Sequence, residues 1–142
     1  MDRSEWRNLV KTDDNLWVGG PEYHCEAEEV KACLHQVKAN IGKGNQKCLI
    51  FFHGGYGFSR SSKDYTEILN RHAVECDATI LSVDYRLAED QKNKVPQAGI
   101  FDAYAALRWI IDPENAQICN IDKNHVAIFG EDAGAWIAMG VA

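Results

Sequence analysis

The sequence predicts an α/β fold with a mostly parallel sheet and helices on both faces. Three observations carry that reading. From Lys47 onward, short apolar runs alternate with helix-length amphipathic runs, the order expected of strands joined by crossover helices. Two of the apolar runs lead into glycine within two residues, as strands entering loops do. The composition, 46% hydrophobic and 25% charged over 142 residues, is that of an ordinary globular domain and excludes a disordered or collagen-like chain.

Element by element, Lys47–Phe52 reads as a strand ending in His53-Gly54-Gly55-Tyr56-Gly57. Lys63–Cys76 places Tyr65, Ile68, Leu69 and His72 or Ala73 at helical spacing, and Ala78–Val83 is a short β-branched run. Ala98–Ile111 follows Pro96 and predicts a helix with Phe101, Ala105, Leu107, Trp109 and Ile110 on its apolar stripe. His125–Phe129 is the last strand, followed by Gly130 and an apolar, helix-like tail to Ala142. With right-handed crossovers, this strand-helix alternation gives a parallel sheet covered on both sides. Glu26–Ala39 fits a helix through Val30, Leu34, Val37 and Ile41, yet Val30, Ala32 and Leu34 also alternate like an edge strand. Periodicity leaves both open.

No repeat, low-complexity segment or linker divides the chain, so it reads as one unit. Residues 1–46 are expected to supply N-terminal strands or a cap-like segment, ahead of 47–142. The net charge of −6 argues against unaided capture of nucleic acid or an anionic membrane, and leaves a small neutral or cationic partner open. No apolar run approaches the ~20 residues of a membrane span, and the polar start of the chain does not resemble a signal peptide. Five cysteines at scattered spacings, without a C-x-x-C pair, predict free thiols in a reducing, cytoplasmic setting. His24, Cys25, Cys33 and His35 cluster in sequence but do not match the spacing of structural zinc sites. Gly42-Lys43-Gly44 and Gly55-Tyr56-Gly57 lack the remainder of a phosphate loop or dinucleotide fingerprint. No metal or cofactor is expected.

Two segments could carry chemistry. Phe129-Gly130-Glu131-Asp132-Ala133-Gly134 runs from a strand through G-x-D-x-G into a helix, the setting of a nucleophile elbow. Small residues flank such an elbow because strand and helix come too close for larger side chains. The central residue is held in a strained conformation above the carboxyl edge of the sheet, and here it is Asp132. The Ala133 N–H, at the start of the helix, would point at a developing oxyanion. In the glycine segment the N–H groups of Gly54 and Gly55 would supply the other side of the hole, with His53 ordering the loop.

Four segments together resemble the α/β-hydrolase superfamily, in particular its hormone-sensitive-lipase-like and carboxylesterase branch. They are His53-Gly54-Gly55-Tyr56-Gly57-Phe58, Ser82-Val83-Asp84-Tyr85-Arg86-Leu87-Ala88-Glu89, Phe101 to Trp109, and Phe129 to Gly134. The first is similar to the family's H-G-G-G motif with Tyr56 at the third glycine, a substitution also reminiscent of the arylformamidase branch. The second resembles D-Y-R-L-A-P-E, although Asp90 follows Ala88-Glu89 without the proline. The resemblance favours a strand at Glu29–Val37 and implies hydrolysis of small carboxylic esters, with amides as lesser substrates. It implies a catalytic position at Asp132 and an oxyanion hole of Gly54, Gly55 and Ala133. His53, Tyr56, Gly130, Glu131 and Gly134 would support the motif. It also implies a structural role for Asp84 and Arg86 beneath the oxyanion loop, while Asp102 and Arg108 read as surface or supporting charges.

Two departures bear on activity. A carboxylate at position 132 would form an unstable mixed anhydride in place of an acyl ester, so Ser-type turnover is not expected. Aspartate at the elbow resembles instead the haloalkane dehalogenase and epoxide hydrolase branches, whose chemistry needs a histidine base. In this superfamily the acid and histidine follow the nucleophile in chain order. Ala133 to Ala142 contain neither, and all five histidines lie upstream. The expectation is an α/β-hydrolase fold that stops after the elbow and is inactive by itself. The alternative is a pseudoenzyme or interaction module whose open sheet edge is covered by a second copy or a partner chain.

Overall fold

The computed structural model describes residues 3–56, 59–88 and 97–142. Gly57 and Phe58 of the glycine segment, Glu89 and Asp90 of the second motif, and Pro96 lie outside the described residues. Helix α1 (Arg3–Leu9) leads into β1 (Val10–Gly19), β2 (Glu29–Val37) and β3 (Gln46–Phe52). A 3₁₀ turn at Ser62–Tyr65 opens α2 (Thr66–Glu75), and β4 (Thr79–Val83), α3 (Ala98–Ile111), α4 (Pro113–Ile118), β5 (Ile121–Gly130) and α5 (Ala133–Val141) follow.

The five strands form one sheet in the order β1-β2-β4-β3-β5. β3 runs parallel to β4 and β5, whereas β2 is antiparallel to both β1 and β4. Only β2 therefore opposes the other four strands, which makes the sheet mixed but mostly parallel in direction.

Residues 26–39, which periodicity left between helix and strand, contain β2, and β2 is an interior strand. Ala32 and Leu34 pack on one face of the sheet while Cys33 and His35 are buried on the other, as expected of a strand covered on both sides. β1 gave no sequence signal because it is a sheet edge whose Lys11 to Asn15 are exposed. That stretch carries no apolar alternation to read.

The sheet separates two cores. Ile50, Phe52, Leu81 and Val83 face α3 and α5, and Phe51 and Ile80 face α2. Successive side chains of β3 thus point to opposite layers. The α3 surface against the sheet keeps Ala105 and Ile110 of the expected stripe, with Leu107 and Trp109 partly buried against the core, but is otherwise made of small residues. Its buried residues are Ala98, Gly99, Asp102, Ala103, Ala105, Ala106 and Ile110. The small side chains let the helix approach closely: a methyl group at Gly19 of β1 would lie 3.2 Å from Ala106 N. Phe101 instead stacks on His24, with ring centroids 4.7 Å apart.

Candidate active site

Parallel pairing places Phe52 of β3 beside Gly130 of β5, so the segments after these residues leave the sheet together at its carboxyl edge. One is the glycine loop and the other is the turn into α5. Close packing here forbids side chains. A Cβ on Gly134 would overlap the carbonyl oxygen of Phe52, and one on Gly130 would overlap the carbonyl of Gly134. The small residues of G-x-D-x-G thus have a steric cause.

Asp132 sits at the apex with φ 53° and ψ −119°, a region that L-residues occupy only under constraint. The constraint is visible on both sides. Glu131 N–H donates to Phe52 O at 3.3 Å, and Gly134 N–H donates to Glu131 O at 2.8 Å. Ala133 follows as the first residue of α5. The Asp132 side chain is exposed above the sheet edge.

The glycine loop turns its N–H groups toward that carboxylate. Gly55 has φ 115° and Tyr56 φ 57°, and a Cβ on Gly55 would overlap Ser59 O. Gly55 N–H donates to Asp132 Oδ2 at 3.3 Å, and Tyr56 N–H donates to the same oxygen at 2.9 Å. The bonds from Tyr56, Ala133 and Gly55 N–H, in that order of effect, hold the Asp132 carboxyl below the usual aspartate range, with the Arg60 charge adding to them. The expected donor set was Gly54, Gly55 and Ala133. Gly54 N–H is instead directed at Tyr65 Oη, 3.3 Å away, and Tyr56 joins Gly55 on the carboxylate. Gly55 and Tyr56 both take left-handed φ values, and it is their N–H groups that turn to the carboxylate. The Tyr56 ring itself is 82% exposed, so this residue enters the site through its backbone.

Below the loop, His53 is buried and stacked on Tyr85, with ring centroids 4.7 Å apart. Its Nδ1 lies 2.8 Å from Gly54 O, and Tyr85 Oη donates to His53 O at 2.6 Å. Asp84 accepts from Ser62 N–H at 2.6 Å and from Ser62 Oγ at 2.9 Å, and faces His53 Nε2 at 4.0 Å. Arg60 Nη1 donates to Tyr65 Oη at 3.2 Å. In the sequence Tyr65 reads only as a residue at helical spacing, and Ser62 and Arg60 carry no signal. No motif marks them, and they reach the site only because the turn into α2 folds back beneath the glycine loop.

Asp84 and Arg86 do not act as one pair. Arg86 Nε donates to Asp102 Oδ2 at 2.8 Å and its Nη2 to Asp102 Oδ1 at 3.0 Å. Asp102 also accepts from Arg86 N–H and Glu28 N–H at 3.0 and 2.9 Å. Asp102 is fully buried, so of its two readings, surface or supporting charge, the supporting one holds. On α3 it is the one carboxylate facing the sheet, and the Arg86 fork satisfies it there. The pair braces the chain leaving β4 against α3.

The remaining candidates lie elsewhere. His24 Nδ1 accepts from Glu26 N–H at 3.1 Å. His35 Nδ1 contacts Asn70 Oδ1 at 2.7 Å in the α2 layer. Burial pushes the Cys33 and Cys48 thiols up to about 12 and Cys119 to about 11. His125 lies on exposed β5, its Nδ1 2.5 Å from Asp122 Oδ2. None of the five histidines supplies a hydrogen bond to Asp132 among the described residues. No described helix is long and apolar enough to cross a membrane.

A family model for the alpha/beta hydrolase fold matches residues 49–142. The chain is 37% identical over 103 residues to carboxylesterase NlhH of Mycobacterium tuberculosis, covering 72% of this chain and 30% of that protein. It is 35% identical over 103 residues to arylacetamide deacetylase of Bos taurus, covering 70% and 25% of the two chains. Among solved structures it resembles the Pyrobaculum calidifontis esterase, with a TM-score of 0.76, 24% identity and coverage of 96% and 41%. A bacterial heroin esterase gives a TM-score of 0.79 at 25% identity, covering 94% and 39%. The chain therefore spans less than a third of the length of these curated relatives. With the strand-elbow-helix, the glycine loop and the family match all within residues 49–142, the chain belongs to the α/β-hydrolase superfamily, on its hormone-sensitive-lipase-like, carboxylesterase branch.

Proposed function

We infer that this chain carries the oxyanion side of a carboxylic ester hydrolase site and does not by itself turn over esters. The observation that carries the reading is the hydrogen bonding of Asp132 Oδ2 to the N–H groups of Gly55 and Tyr56. An ionised carboxylate stands where acyl chemistry requires a hydroxyl, and it is engaged by backbone donors rather than by a histidine base. Small acyl esters are the substrate class suggested by relatives described as a carboxylesterase and an arylacetamide deacetylase. The free edge of β5 and the 74% and 70% exposed Trp136 and Met139 fit a fold completed by further polypeptide, in line with the greater length of the relatives. A cytoplasmic setting fits the thiols, which are all free. The test is p-nitrophenyl acetate hydrolysis by the 142-residue chain. The expected rate equals that of buffer, and turnover that disappears in Asp132→Ala would overturn the reading.

A second reading rests on the fact that both loop N–H groups bind the same carboxylate oxygen. That leaves Oδ1 as the oxygen to attack an alkyl carbon, displacing halide or opening an epoxide to give an alkyl ester of Asp132. With no described histidine bonded to Asp132, the ester would accumulate. Intact-protein mass spectrometry after incubation with 1-chlorobutane or styrene oxide decides it: a stoichiometric adduct at Asp132 supports this reading, and an unmodified mass removes it.

A further inference from the structure

We propose that Asp132 is the resident ligand of its own oxyanion hole: a self-blocked anion site that accepts a small free carboxylate only when residue 132 gives it up. The inference rests on the reading of this site given above and concerns what occupies it. Two separate segments of chain converge on one point. Gly55 N–H and Tyr56 N–H reach Asp132 Oδ2 at 3.3 and 2.9 Å from the glycine loop, and Asp132 itself stands at the turn into α5. Two backbone donors aimed at one oxygen form an anion receptor whose donors cannot rotate away.

The occupant is also negatively charged, and Arg60 adds attraction from the loop side. Tertiary structure holds the donors in place. The φ values of 115° at Gly55 and 57° at Tyr56 follow directly on Gly54, which is packed so tightly that a methyl group on it would lie 3.1 to 3.2 Å from Asp132 Cβ, Glu131 O and Tyr65 Oη. Truncating the carboxylate therefore leaves the receptor in place. A tethered carboxylate acts at an effective concentration on the order of millimolar or more, so a free carboxylate must outcompete it. The ligand class is a short-chain carboxylate, which presents the same two oxygens on a small apolar body and is the product class of ester hydrolysis.

The test is acetate titration of the full 142-residue chain, followed through the backbone amide resonances of Gly55 and Tyr56. In the unmodified chain these amides are expected to stay fixed. In Asp132→Ala and Asp132→Ser they move saturably, with an apparent acetate affinity about tenfold tighter or more. Folded variants whose two amides ignore acetate would overturn the proposal, as would an unmodified chain that binds acetate equally well. Should the variants fail to fold, an acid titration of the unmodified chain still decides. The Gly55 and Tyr56 amides must then titrate together with the Asp132 carboxyl carbon, and amides that ignore that transition refute self-ligation. These shifts are read without turnover, so their failure is distinguishable from the appearance of esterase activity, which would sink only the reading of an inactive chain.

Discussion

Tyr56 N–H donates to Asp132 Oδ2 at 2.9 Å, joining two residues that lie 76 positions apart in the chain. The bond ties the glycine loop to the elbow across the carboxyl edge of the sheet.

Asp132 carries positive-φ strain together with these loop bonds, and substitutions separate the two effects. Asp132→Gly removes the strain and the bonds, whereas Asp132→Ala removes only the bonds and keeps a Cβ in the strained region. The expected order of thermal midpoints has Gly above Ala, measured by circular dichroism melting. An Ala variant as stable as the Gly variant would show that φ 53° costs nothing here.

Acidification should weaken the fold in two stages. His35 is buried, and burial lowers its pKa below the ordinary imidazole value. The unfolded chain then binds the extra proton first, so the contribution is complete above pH ~6.5 and is lost as pH falls through the folded value. Asp132 is also lowered, by hydrogen bonds to Tyr56, Ala133 and Gly55, and its contribution is complete above pH ~3.9 and lost below it. Urea midpoints between pH 7 and pH 3 should fall in both windows. A His35→Gln variant should lose the upper step alone.

Asp102 should be the most sensitive charged position outside the elbow. It is fully buried and accepts four hydrogen bonds, two from the Arg86 side chain and two from backbone N–H groups. Asp102→Ala removes the acceptor of two guanidinium bonds and of the Arg86 and Glu28 N–H groups, leaving Arg86 only Glu26 O and the Glu28 carboxylate, at a cost of about 3 kcal/mol. Asp102→Asn retains acceptor geometry but loses the charge, so in chemical denaturation it should fall between Asp102→Ala and the unmodified chain.

Gly134→Ala should be among the most damaging single-methyl changes, because the added Cβ overlaps the Phe52 carbonyl, a backbone atom that cannot move without shifting β3. Loss of about 4 kcal/mol or more, or insoluble expression, is expected. Gly42→Ala is the matched control: at φ 83° with nothing within 4 Å of its Cβ, it should cost only the conformational ~1–2 kcal/mol. Similar losses in the two variants would mean that close approach at the elbow is not what demands glycine.

Much of the second half of the fold was legible because its elements are buried on regular faces. Ala98–Ile111 has the bounds expected of it, and β3, β4 and α5 fall within a residue or two of theirs. β1 and α1 were not legible: β1 owes its place to pairing with β2, not to apolar alternation. At the site, the motif pointed to the elbow and the glycine loop but not to which N–H groups reach Asp132. That depends on where the loop reverses, and the left-handed φ of Tyr56 is imposed by contacts rather than by residue type.

The sequence by itself determined the superfamily, the order of strands and helices from β3 onward apart from the unforeseen α4, and the presence of a carboxylate at the elbow. These follow from residue type and spacing, which act along the chain. Only the tertiary structure decided that Asp132 lies in the grasp of Gly55 and Tyr56, that Gly54 turns to Tyr65, and that Asp102 rather than Asp84 holds Arg86. Each of these joins segments brought together by parallel strand pairing and helix packing, and hydrogen-bond partners of that kind are chosen by distance in space.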